Sequence, residues 1–293
     1  MSQVGFFTIL DPFKSDNTSG GPQAYKNIIR HIESLGYSVN VITPESEYRS
    51  PSEFSFNVYQ YIFNDPGGSP WFSMDQLREM GSTKTPYMFS ECAYTACTTS
   101  PYGDTRYKGQ DLSPISRNLM IGARRFITAS PLHGENISRL IGHDLKNFYH
   151  YLCEVDTERF KNLNQDREIE YITVGAMNIW KGTDFVCQKY GRDLTVIGYG
   201  HEGLLVNNAN FVGKIPHEET HTWYNKSKNF VHLPNWKESF SITTAEASLC
   251  GCKVITNENV GANSFNKDLS NPDTYKESGE DFKEMLLNEF GKA

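Results

Sequence analysis

No stretch of this 293-residue chain approaches the roughly 20 consecutive apolar residues that a membrane-spanning helix requires. The opening MSQVGFFTILDPF has no basic start, and its apolar run from Val4 to Leu10 is too short for a secretory leader. Neither half has a basic excess: residues 1–157 hold 13 basic and 16 acidic residues, the remainder 15 and 19, and the net charge is −7. A strong non-specific binder of nucleic acid or of anionic membrane is thereby excluded, although a local basic groove is not. Cysteine spacing is equally unhelpful to a metal or disulfide framework. Cys92, Cys97, Cys153, Cys187, Cys250 and Cys252 form no C-x-x-C pair and read as free thiols in a reducing cytosol. A cytoplasmic protein is the expectation, without internal repeats or low-complexity tracts.

What is present is an alternation of short apolar runs with amphipathic segments from end to end. Strands are predicted at Val4–Leu10, Val39–Ile42, Val58–Phe63, Pro86–Ser90 and Arg125–Ala129, with Phe148–Val155 closing this half. Helices are predicted from Pro22 to Gly36, over Phe72–Met80 and over Pro131–Ile141, while residues 92–116 give no regular pattern. Later strands are expected at Ile169–Val174, Leu194–Ile197, Phe211–Val212, Phe230–Leu233 and Val254–Thr256. Helices are expected at Thr183–Tyr190, Glu218–Lys226, Ser241–Cys250 and Glu280–Phe290. Repeated strand–helix units imply parallel sheets covered on both faces, because right-handed crossovers deposit helices there. The expected class is α/β with two Rossmann-like domains, residues 1–157 and 158–293, facing a cleft at the carboxyl ends of their strands.

The richest stretch is Pro234-Asn-Trp-Lys-Glu238-Ser-Phe-Ser-Ile-Thr-Thr-Ala-Glu246-Ala-Ser-Leu-Cys-Gly251. A strand feeds a loop carrying Glu238, then a helix whose start offers free N–H groups and partial positive charge to a diphosphate. Glu246 follows on a face of small residues, where a carboxylate requires hydroxyl or cationic partners. A single Glu there reads as a solvated helix face; two Glu eight positions apart around small residues do not.

This segment resembles the signature of retaining glycosyltransferases of family 4, which have the GT-B fold. Gly20-Gly21 resembles that family's N-terminal glycine loop, and Val155-Asp-Thr-Glu-Arg-Phe160 its interdomain hinge. Val174-Gly175 through Trp180-Lys181-Gly182 resembles its phosphate loop, and Phe211-Val-Gly-Lys-Ile-Pro216 with Glu218-Glu219 its nucleobase-side strand and helix. The resemblance implies that Glu246 binds the donor ribose and that Glu238 lies near hydroxyls of the transferred sugar. It places Ser239 and the backbone of Phe240, Ser241 and Ile242 beside the sugar and phosphates. Gly20, Gly21 and Gly175 would line the same phosphates, and Lys181 would neutralise the departing diphosphate. Glu91 stands where the family commonly has a catalytic His. One departure is plain: Ala176 replaces the Arg that usually follows the phosphate-loop Gly, removing a bidentate clamp.

Other signals are weaker. His217-Glu218-Glu219-Thr220-His221 matches HExxH, but Pro216 puts His217 in a first turn and no third ligand is indicated, so it reads as the polar start of a helix. Asp65-Pro66-Gly67-Gly68 reads as a turn, and Cys250-Gly251-Cys252 as a helix end with Gly251 at the left-handed cap. No Asp-x-Asp occurs, whereas the other main glycosyltransferase fold usually holds its metal with one. Arg106, Lys108, Arg117, Arg124 and Arg125 interleave with Tyr102 and Tyr107: a solvated surface, or a groove for a phosphate-bearing acceptor such as DNA.

The resemblance thus implies a hexosyl- or pentosyltransferase that takes sugar from a nucleotide-diphosphate donor with retention and without metal or other cofactor. The acceptor would be a glycan or other saccharide, or a hydroxylated DNA base. A sugar-nucleotide epimerase and a non-catalytic sugar-nucleotide binder are the rival readings. The short length predicts trimmed helices and no long C-terminal crossover helix.

Overall fold

Strand pairing in the computed structural model is parallel throughout the described residues, which are 2–8, 11–13, 20–60, 72–91, 114–200, 203–204 and 208–292. Two units result, one of Met1–Leu152 with Glu277–Ala293, the other of Cys153–Lys276. The expectation of an α/β chain with two Rossmann-like parallel sheets holds.

In the first unit, strands β1 (Gln3–Phe7), β2 (Ser38–Ile42), β3 (Phe56–Gln60), β4 (Tyr87–Glu91), β5 (Arg125–Thr128) and β6 (Phe148–His150) form a sheet in the order β2-β1-β3-β4-β5-β6. Its middle is completely buried (Phe6, Val58, Met88, Phe89, Phe126), as a parallel sheet covered on both faces demands. Helices α1 (Gly20–Ser34), α2 (Met74–Ser82), α3 (Pro114–Gly122) and α4 (Pro131–Ile141) connect the strands.

Local chemistry sets the helix ends. At α2, Ser73 Oγ accepts from the Gln76 N–H at 3.2 Å and Gln76 Oε1 accepts from the Ser73 N–H at 2.7 Å, a reciprocal capping box. Helix α4 starts with Ser130 accepting from the His133 N–H at 3.1 Å, has Pro131 at its first position, and stops at Gly142 with φ 62°. Helix α1 begins at Gly20, two residues before the Pro22 expected to open it, so the glycine pair sits in the first helical turn rather than in a preceding loop. Helix α3 was not expected: it begins within residues 92–116, which show no regular pattern, and runs on to Gly122. The Gly67-Gly68 turn, Arg106, Lys108, Tyr102 and Tyr107 lie outside the described residues.

The second unit contains β7 (Ile169–Ala176), α5 (Thr183–Tyr190), β8 (Leu194–Tyr199), β9 (Asn210–Gly213), α6 (Thr220–Asn225), β10 (Ser227–His232), α7 (Ile242–Leu249) and β11 (Lys253–Thr256). The strand order β11-β10-β7-β8-β9 reverses direction between β7 and β10, which is the dinucleotide-fold order with its switch point there. Met177, Val186, Cys187, Leu194, Val196 and Val231 pack as one buried cluster under this sheet. Gly251, at φ 79°, ends α7 as expected, its N–H donating to the Ser248 carbonyl at 2.9 Å.

Two expectations about the C-terminus fail. The last helix, α8 (Pro272–Phe290), runs 19 residues, so the chain does have a long terminal helix. The sequence also puts residues 277–293 in the second domain, whereas they belong to the first unit, whose boundary falls at Leu152 rather than at residue 157. The reason is aromatic and ionic. Phe282, wholly buried, packs on Tyr151 (4.8 Å), Tyr149 and His31, and Phe290 stacks on Phe56 at 4.3 Å. Glu289 pairs with Arg125 at 2.5 Å, and its carbonyl accepts from Arg124. Those two arginines, counted above toward a possible acceptor groove, are therefore engaged by α8.

Candidate functional site

A cavity of about 110 Å³ opens at the carboxyl ends of β7 and β10, at the switch point of the second sheet. Its wall comprises the end of β7 (Thr173 to Met177), Lys181 and Thr183, Val196 and Ile197, His232 at the end of β10, and Ser241, Ile242 and Thr243 at the start of α7. Open α/β sheets bind ligands at this place, and the first-turn amides of α7 add free N–H donors to it.

The backbone is shaped for close approach. Gly175 has φ 138° with nothing within 4 Å of where a Cβ would sit, so the cavity runs up to the main chain there. At Gly182, with φ 70°, a Cβ would lie 1.9 Å from the Leu233 carbonyl oxygen; only glycine lets the loop after β7 lie against the end of β10. Ser241, directly before α7, has φ 84° and ψ 81°. A left-handed serine costs of the order of 1–3 kcal/mol and persists only where its surroundings enforce it. Here its Oγ lies 2.9 Å from Thr244 Oγ1.

Both signature carboxylates are buried and fully engaged. Glu238 is 4% exposed; Oε1 lies 2.5 Å from Lys181 Nζ, Oε2 lies 2.8 Å from His232 Nε2, and its backbone N–H donates to the Asn259 carbonyl at 2.7 Å. Burial pushes its carboxyl up, but His232 and Lys181 more than offset that and hold it down at about 2. Glu246 is 1% exposed; Oε1 meets His217 Nε2 at 2.6 Å, and Oε2 accepts from the Tyr224 hydroxyl at 3.4 Å. Burial raises the Glu246 carboxyl, and the hydrogen bond that the His217 imidazolium donates to Glu246 raises His217 against its own desolvation. His217, the first residue of the HExxH match, thus faces the second signature glutamate, its ring tilted against that of Phe160.

Of the residues expected at the donor, Gly175, Lys181, Ser241 and Ile242 line the cavity. Glu238 stands behind its wall, holding Lys181. Glu246 lies inside α7, while Ser239 is half-buried and Phe240 packs against Phe265. Gly20, Gly21 and Glu91 belong to the first unit, where Glu91 closes β4, buried and level with Thr128 of β5. Sequence reasoning missed His232 and Tyr224. The signal for His232 was an imidazole in the middle of the apolar strand Phe230-Val-His-Leu233. Among the described residues no group of three His, Cys, Asp or Glu is arranged to hold a metal ion, and no helix is long and apolar enough to cross a membrane.

Residues 154–284 match the family model described as glycosyl transferases group 1. No curated protein matches the chain in sequence. Among solved structures, the chain is similar to sucrose-phosphate synthase from Thermosynechococcus elongatus, with TM-score 0.62 and 13% identity over 99% of this chain and 95% of that one. It is similar to Anabaena HepE in complex with UDP and glucose, with TM-score 0.58 and 12% identity over 99% and 96%. It is also similar to T4 phage BGT in complex with its UDP-glucose substrate, with TM-score 0.55 and 10% identity over 99% and 93%. The chain is therefore an enzyme of the glycosyltransferase class with the GT-B fold, and its residues 154–284 form a glycosyl transferases group 1 domain.

Proposed function

We propose that the enzyme moves a hexose or pentose from a nucleoside diphosphate sugar to an acceptor hydroxyl, with retention of anomeric configuration and without a metal ion. The observation that carries this reading is the switch-point cavity, in which a lysine and the start of a helix converge on a glycine-edged strand end. The UDP and UDP-glucose complexes of HepE and BGT support a uridine diphosphate sugar as the first donor to try.

In this reading the diphosphate lies against Gly175 and the first turn of α7, with Lys181 beside it. As the bond from C1 to the diphosphate oxygen breaks, negative charge grows where Lys181 and the amides of Ile242 and Thr243 are already fixed, so little reorganisation is needed. The acceptor oxygen bonds to C1 on the same face, and its proton passes to the departing phosphate oxygen. No enzyme nucleophile takes part, and charge neutralisation by Lys181 and amides replaces a metal. Glu246 is assigned to the donor ribose, whose hydroxyl takes the place of His217 on Oε1. Glu91 is assigned a catalytic role, and Gly20 and Gly21 are assigned to binding of the donor phosphates.

A saccharide acceptor is the reading adopted, because Arg124 and Arg125 of the basic run are engaged by Glu289. The test is a panel of nucleotide sugars offered with saccharide acceptors, hydroxymethylated DNA, or no acceptor. Product anomeric configuration is read by NMR, with and without EDTA. Transfer to saccharide with retention in EDTA supports the whole reading. Inverted product, loss of activity restored by magnesium or manganese, transfer only to DNA, or an epimerised donor each overturns the corresponding part.

A further inference from the structure

We propose that His232 is a second cationic arm of the donor cavity, supplying the positive charge that Ala176 does not, and that Glu238 is a positioning residue holding His232 and Lys181 from behind the wall. The proposal rests on the donor reading above.

Lys181 and His232 are the only ionisable side chains among the described residues lining the cavity, and Glu238 does not line it. One carboxylate thus anchors two groups that both face the ligand space, through Lys181 Nζ at 2.5 Å and His232 Nε2 at 2.8 Å. The anchoring nitrogen is Nε2, and no hydrogen bond reaches Nδ1 among the described residues. Strand β10 pairs with β7 through Phe230 beside Ile172. Counting along the strands, His232 comes level with Val174, on the face shared with Ala176 two residues on. Its neighbours Phe230, Val231 and Leu233 follow the apolar pattern of a doubly covered strand; an imidazole there loses hydration that only a polar partner restores.

The chemistry follows from the two ring nitrogens. With Nε2–H donated to Glu238, neutral Nδ1 presents a lone pair, which repels a phosphate oxygen. Protonated Nδ1–H donates to it. An imidazolium that donates Nε2–H to Glu238 thus has its Nδ1–H left for a phosphate oxygen. The ionisable groups around the ring are Glu238 and, across that carboxylate, Lys181. The positions level with it, Val174 on β7 and Thr256 on β11, and the cavity-facing residues Thr183 of α5 and Ile242 and Thr243 of α7 carry no charge.

The test is calorimetric titration of the full chain with UDP. His232→Gln should lose roughly 10- to 100-fold in affinity, the range for a charged hydrogen bond. Adding Ala176→Arg to His232→Gln should restore most of that affinity, which a cation placed across the cavity would not do if His232 were merely structural. Wild-type affinity in His232→Gln, or a loss that Ala176→Arg leaves untouched, would overturn the proposal while leaving the donor reading intact; no UDP binding by wild type would overturn both. Should His232→Gln fail to fold, Ala176→Arg alone decides. A gain under threefold agrees with a cavity already supplied with two cations, and a gain above tenfold refutes it.

Discussion

Replacing Glu238 by Gln removes the charge between Lys181 and His232 while keeping nearly the same shape. The native carboxyl is held at about 2 against an ordinary value of 4.5. That difference corresponds to roughly 3 kcal/mol, and because the group is buried, solvent screening takes little from it. A folded-state value below the unfolded one contributes stability above pH 4.5, and that stability is lost as pH falls toward 2. In wild type, roughly 0.8 kcal/mol of it should be gone at pH 4 and roughly 2 kcal/mol at pH 3. Comparison with Glu238→Gln cancels the titrating groups that do not contact Glu238. Urea unfolding followed by tryptophan fluorescence suits the measurement, since Trp180, Trp223 and Trp236 all lie in the second unit. The destabilisation of Glu238→Gln should be about 3 kcal/mol at pH 7 and shrink to about 1 kcal/mol at pH 3. A difference that stays constant between those pH values would refute the ion-pair account of Glu238.

Phe282→Ala should cost about 3–5 kcal/mol, as for a large aromatic cut from a filled core, and a loss under about 1 kcal/mol by urea unfolding would show that α8 is not an integral layer of the first unit. His217→Gln should destabilise most below pH 6.5 and progressively less as pH rises through the raised value of His217, because a raised histidine contributes its stability below its unfolded value; an effect growing with pH would reverse the assignment. Ser241→Gly should raise stability by about 1 kcal/mol by relieving the left-handed serine, and a loss in thermal melts would mean that the Oγ contact to Thr244 outweighs the strain. Glu246→Ala should weaken UDP binding by about 1–3 kcal/mol; calorimetry on folded protein giving unchanged affinity removes Glu246 from the donor site.

Local signals carried much of the second sheet. Helix α5 was legible to the residue at both ends, and α7 within one, because Gly182 and Gly191 bound the first and Gly251 follows the second. The same grammar located α4 through Ser130, Pro131 and Gly142. Helix α8 was expected only from Glu280, whereas Asn271 and Pro272 start it, the Asn271 side chain accepting from the Asp273 N–H at 3.0 Å. The side-chain partnerships of the site were not legible. Lys181 and Glu238 are 57 positions apart, and His217 and Glu246 are 29 apart. Only the pairing of β7 with β10 and the packing of α6 on α7 bring them together, and no periodicity encodes that.

The return of α8 to the first unit has a consequence for how the chain acquires its structure during synthesis. Strand β3 emerges early, but Phe56 receives its stacking partner only with Phe290, and Arg125 its counter-charge only with Glu289. An amino-terminal sheet ordinarily matures while the rest of the chain is still being translated. Here residues 277–293, which cover that sheet, are encoded after the whole of the second unit, so part of its aromatic surface lacks its partner until they have been made.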